Sequence, residues 1–190
     1  MALKKFGSLA ALGLVLTAAH AASNIQISRQ AVTMEHVIVS SARPYAKVKD
    51  DIERRLGKLD EHIRLLAKEK RLDELRDAVQ QAAGQNGLLW HYTGTHGVWL
   101  QMKGGEVKPV TEYFVGNILA AAEMTSVNYA AGLYAPLRIV LYQNAEGGST
   151  IEYDLPSSQL HQFQSAQIDA VGKELDERLL KFVMTVQQDK

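Results

Sequence analysis

From Val115 to Gln143 the chain reads VGNILAAAEMTSVNYAAGLYAPLRIVLYQ, its most densely apolar part outside the first 22 residues, with one acid, Glu123, and one base, Arg138. Asn117 can accept hydrogen bonds from the first N–H groups of ILAAAEMT, so a short helix is expected there, its alanines allowing close packing on a sheet. PLRIVLY then alternates, with Leu137, Ile139 and Leu141 on one face and Arg138, Val140 and Tyr142 on the other. A turn at NAEGGS leads into TIEYDL, and the two runs form a hairpin. EHVIVSS, residues 35–41, has the length and composition of another strand. Residues 22–34 before it are polar and aperiodic, a linker or loose arm.

Helical periods fill the gaps. Ser41 and Pro44 are start signals, and Val48, Ile52, Leu56, Leu59, Ile63 and Leu66 follow at spacings of three and four. Lys47/Asp51, Lys49/Glu53 and Asp50/Arg54 place opposite charges four apart on the solvated side of that stripe. Gly57 is a point where it can bend or break. A second stripe, Leu72, Leu75, Val79 and Ala82, ends at Gly84, a natural cap. LLWHYT and VWLQMK, separated by the glycines at 94 and 97, suggest a hairpin, and KGGEVKP turns into a further strand, VTEYFV. After Pro156, Ile168, Val171, Leu175, Leu179 and Phe182 recur with helical period, and Leu180, Val183 and Val186 widen that face beyond what a small core needs. The expected order is β-α-α-β-β-β-α-β-β-α. It describes an α+β fold: a mostly antiparallel sheet of about five to six strands, helices packed on one face, and a C-terminal amphipathic helix.

The N-terminus changes the picture. Lys4 and Lys5 precede an apolar run from Phe6 to Ala19, and Ala19-His20-Ala21 has the small-x-small form of a cleavage site. The run is shorter than the roughly 20 residues that span a bilayer. A signal peptide over 1–21 and a periplasmic or secreted address are therefore expected, with a retained N-terminal anchor as the alternative. Cleavage removes two lysines, leaving 19 basic against 21 acidic residues, a net charge of −2. Neither that balance nor that address suits nucleic acid. The chain has no cysteine, which excludes disulfides, thiolate metal sites and thiol catalysis.

The segment YFVGNILAAAEM…LYAPLRIVLYQNAEGGSTIEYDLPS resembles the family known as domain of unknown function 302. The likeness is carried by Gly116 and Asn117, Met124, Pro136 with Leu137 and Arg138, Glu146 with Gly147, and Tyr153, Asp154 and Pro156. It extends over roughly 35–163. Ile118 stands where members usually carry proline, and the helical stretch 57–84 is longer than usual, an insertion. Residues 164–190 would add the C-terminal helix. The resemblance implies a compact α+β domain of the TATA-binding-protein-like type, often exported and often able to dimerise. It implies no reaction and no cofactor.

Candidate chemistry is sparse. WHYTGTH offers His91 and His96 as metal ligands, but residues five apart on a strand point to opposite sides and converge only if the turn folds one back. The alternative is two hairpin histidines at a wet surface. His36, His62 and His161 are scattered. Glu35 and His36 face opposite sides of one strand, so they form no dyad, and Asp154 before Pro156 reads as a turn cap. There is no Gly-x-Ser-x-Gly elbow, phosphate-binding glycine loop or Asp-rich calcium loop. Asn117, Met124, Arg138, Tyr142 and Tyr153 make the third constellation. Arg138 could hold a carboxylate or phosphate head while methionine and tyrosine surround an apolar body; equally, Asn117 caps, Met124 fills core and Arg138 faces water. The expectation is a non-enzymatic exported module that binds a small amphiphilic ligand or a protein partner, as a homodimer. The alternative is a metal- or haem-handling protein or an enzyme using His91/His96 or the Asn117/Arg138/Tyr153 group.

Overall fold

The structure, a computed structural model, describes residues 25–84 and 86–188; the expected leader lies outside them. By its contacts the chain divides into a unit of residues 1–33 and a second unit from Met34 to Lys190. Every helix and strand of the described residues lies in the second. In chain order these are β1 (His36–Ser41), α1 (Tyr45–Arg55), β2 (Gly57–Lys58), α2 (Glu61–Lys68), α3 (Leu72–Ala82), β3 (Leu89–Gly94), α4 (His96–Trp99), β4 (Val110–Gly116), α5 (Ile118–Val127), β5 (Leu137–Gln143), β6 (Ser149–Asp154), α6 (Pro156–Leu160) and α7 (Ala166–Gln187). Short 3₁₀ turns follow α4, α5 and α6. No helix among the described residues is long and apolar enough to cross a membrane.

The six strands form one sheet in the order β1-β6-β5-β4-β3-β2, antiparallel except where β2 runs beside β3. Alternation settles what each face carries. Tyr113 and Val115 of β4, Leu137, Ile139 and Leu141 of β5, and Ile151 and Tyr153 of β6 turn inward. They pack against Val48 and Ile52 of α1, Met124 of α5, and Leu175, Leu179 and Phe182 of α7. A smaller cluster of Ile63, Val79, Ala83 and Leu89 sits under α2 and α3.

Four sequence expectations need correction. The long stripe after Pro44 is two helices, not one. Gly57 interrupts it because β2 passes against the end of α3: a Cβ on Gly57 would lie 1.7 Å from the Ala82 carbonyl oxygen. Asp60 then restarts the helix by accepting from the Ile63 N–H at 2.9 Å. VWLQMK is not a strand. Thr95 O accepts from the Val98 and Trp99 N–H groups, starting α4, and the turn ends at Gly104 with φ 74°, so β3 pairs with β4 instead.

Asp51 is not on the solvated side. It is buried, with Arg43 at 2.6 Å and Arg54 as a second partner. Arg43 also donates to the Val186 carbonyl at 2.5 Å, tying the start of α1 to the end of α7. The wide face of α7 is core rather than surplus: Val183 and Val186 are fully buried, and Leu180 alone of the three is exposed.

Candidate functional site

The other face of the sheet presents the alternate residues, and the register lines them up across the strands. Tyr92 of β3 pairs with Phe114 of β4, and Phe114 with Arg138 of β5. The β5–β6 register, continued from Ile139 and Tyr153, sets Asp154 opposite Arg138, and Asp154 pairs with His36 of β1. One transverse row thus runs aromatic, aromatic, guanidinium, carboxylate, imidazole. Tyr92 and Phe114 stack with ring centroids 3.9 Å apart and planes 17° from parallel. Together with Leu133, Pro136 and Met34 they wall a groove of about 580 Å³ that also holds Arg138, Asp154 and Gln159. That volume lies within the range of small-molecule sites.

The charges in this row are unevenly matched. His36 sits between two carboxylates, its Nδ1 2.8 Å from Asp154 Oδ1 and its Nε2 2.8 Å from Glu152 Oε2. Imidazolium is the form that donates from both nitrogens, and the hydrogen bond to Asp154, then that to Glu152, raises the His36 pKa above the ordinary histidine value. Tyr142 donates to the other oxygen of Glu152, whose pKa is lowered by that bond and by His36. Arg138, exposed on the same face, makes no hydrogen bond or ion pair with the described residues. Its neighbour Asp154 is engaged by His36, so the guanidinium charge is left unbalanced beside an aromatic stack.

The residues singled out from sequence are distributed over both faces. Arg138 and Tyr142 share the open face. Tyr153 points into the core, its hydroxyl buried without a hydrogen-bond partner among the described residues, and burial followed by the charge of Asp176 raises its pKa. Asn117 caps α5, its Oδ1 accepting from Leu119 and Ala120 while its Nδ2 donates to the Gly87 carbonyl. Met124 is buried below α5. His91 and His96 lie in different surroundings. A register shift between Trp90 and Tyr92 puts a bulge in β3, which aims His91 at the helix side beside Gly116 and Met124. His96 pairs with Glu112 at 2.9 Å and meets the edge of Trp99. Among the described residues no group of three or more His, Asp or Glu is placed to hold a metal ion.

Sequence reasoning missed Tyr92, Phe114, His36 and Asp154 as members of one site. Asp154 lies within β6 and holds His36, so its expected role as a turn cap is corrected. No local signal could have joined it to a histidine 118 positions away.

A family model described as Domain of unknown function DUF302 matches residues 64–186. The chain belongs to this family. The crystal structure of an uncharacterized conserved DUF302 protein from Bacillus stearothermophilus superposes with a TM-score of 0.57 at 17% identity, covering 80% of this chain and 98% of that one. At that identity the likeness speaks for the fold. No curated protein matches the sequence. In this DUF302 chain the matched segment contains β3 to β6, and hence Tyr92, Phe114, Arg138 and Asp154. His36 comes from β1, outside it.

Proposed function

We propose that this protein is an exported, non-enzymatic binding module that holds an amphiphile with an anionic head on the open face of its sheet. The observation that carries the reading is Arg138, an exposed guanidinium without a partner among the described residues, beside the stacked Tyr92 and Phe114. A guanidinium offers paired N–H donors to a carboxylate or phosphate. The aromatic pair, Leu133 and Met34 give an apolar tail a surface to leave water on. Asp154 would repel an anion, but His36 offsets it. The N-terminal leader pattern supports an address outside the cytoplasm.

Native mass spectrometry of protein purified gently from a periplasmic extract tests this. A co-purifying small acid that is lost in Arg138→Ala supports the reading. Its retention at equal occupancy in that variant removes Arg138 from the site. The other occupant the face could take is a second copy of the chain, the homodimer suggested by the family resemblance. In that case the wild type sediments as a dimer and carries no small molecule, and the ligand reading fails.

A further inference from the structure

A second recess lies on the helix side of the sheet. It borders the Arg138 groove, sharing Tyr134, Ala135, Pro136 and Leu137 with it, but what is inferred from it does not depend on the function proposed for that groove. His91, Gly116, Ala120, Ala121, Met124 and Leu175 are among its lining residues, and it holds about 140 Å³. An apolar cavity of about 150 Å³ takes one benzene-sized molecule. Asn117 also borders the recess, but its side chain is committed to the α5 cap and to Gly87. The bulge in β3 turns His91 toward it, and His91 Nε2 is buried there with no hydrogen-bond partner among the described residues. A buried polar atom left unpaired costs free energy that a matching guest recovers.

Two further facts define the guest's chemistry. Burial, and after it the positive charge of Arg64, lowers the His91 pKa, opposed by the nearby Gly116 backbone. The neutral imidazole is thereby favoured over the charged one, and the site does not call for an anion. A neutral ring nitrogen donates or accepts according to its tautomer, and a hydroxyl group serves either case because it can do both. The remaining wall is mostly aliphatic side chain and methionine, with Tyr134 beside them, suited to a flat apolar ring. From volume, lining and the unpartnered nitrogen we infer that this recess is a binding site for one small phenol-class molecule, its hydroxyl on His91 Nε2 and its ring against Met124 and Leu175.

Titration of the full chain with phenol and with benzene, by calorimetry and by NMR of the histidine ring nitrogens, tests the site. Phenol should bind once per chain, about tenfold more tightly than benzene, the scale of one hydrogen bond, and should move the His91 resonances. Gly116→Ala places a methyl group 3.7 Å from His91 Nε2 without a clash, so it should keep the wild-type melting temperature and weaken phenol binding. Arg138→Ala should bind phenol as the wild type does. Equal affinities for phenol and benzene, a His91 signal that phenol does not move, undiminished binding by Gly116→Ala, or no phenol binding at millimolar concentration would each overturn the assignment.

Discussion

Asp51 shows how much one charged side chain can depend on context that spacing alone does not reveal. By helical spacing it belongs with Lys47 on a wet surface; in the fold it is buried and held by Arg43 and Arg54. Removing one partner of a buried pair leaves an uncompensated charge, at a cost of about 3–5 kcal/mol. Asp51→Ala is therefore expected to lose about 3 kcal/mol in urea unfolding, while Lys47→Ala changes stability by less than about 0.5 kcal/mol. Comparable losses in the two variants would return Asp51 to the surface. His36 makes a second prediction at this scale. Its pKa is raised by Asp154 and Glu152, so its favourable interactions are complete below the ordinary value of 6.5 and fade as pH rises through the folded-state pKa. Deprotonation leaves Asp154 and Glu152 uncompensated beside Arg138 and Tyr142. The affinity for an ionised carboxylate should then fall as pH climbs above 6.5, and His36→Gln should flatten that profile. An unchanged slope in the variant would rule His36 out as the cause.

Individual elements were legible where one physical signal dominated. The period of α7 reads directly from Ile168 to Phe182, and the alternation of β5 separates Leu137, Ile139 and Leu141 from Arg138 and Tyr142. The role of Asn117 as a helix cap is equally local. What escaped was decided by neighbours distant in sequence. VWLQMK has strand-like composition, but Gly97 lies so close to Lys108 that a Cβ would come within 2.0 Å of its carbonyl oxygen. The chain there coils instead of pairing. The bulge at His91 is of the same kind, since the alternation of LLWHYT gives no sign of it. Two comparisons test these elements by unfolding. Phe182→Ala should cost about 3–5 kcal/mol, whereas Leu180→Ala should cost under about 0.5 kcal/mol, because the first is fully buried and the second is exposed. Asn117→Ala should cost about 1–2 kcal/mol, as it removes a cap and the tether to Gly87 together. A stable Phe182→Ala protein would mean that α7 packs by another face.

At the scale of the whole molecule, the class of fold followed from the order of elements, and the family likeness rested on residues that lie in β4, α5, β5, β6 and α6 or in the turns between them. The open-face row did not follow. It exists because β6 comes back to pair with β1, bringing Asp154 to His36 across 118 positions, and because β3, β4 and β5 align Tyr92, Phe114 and Arg138. Arg138 stood out in the sequence as the one cation near an apolar block; its surroundings required the register. The central claim is that this guanidinium anchors an anionic head while the aromatic pair carries an apolar tail. Calorimetric titration with decanoate and with decanol, on the wild type and on Arg138→Ala, separates those two contributions. Decanoate should bind the wild type at least about tenfold more tightly than decanol, the scale of a charge-assisted hydrogen bond. In Arg138→Ala the two should bind alike. A carboxylate preference that survives in Arg138→Ala, or one that is missing from the wild type, would contradict the account.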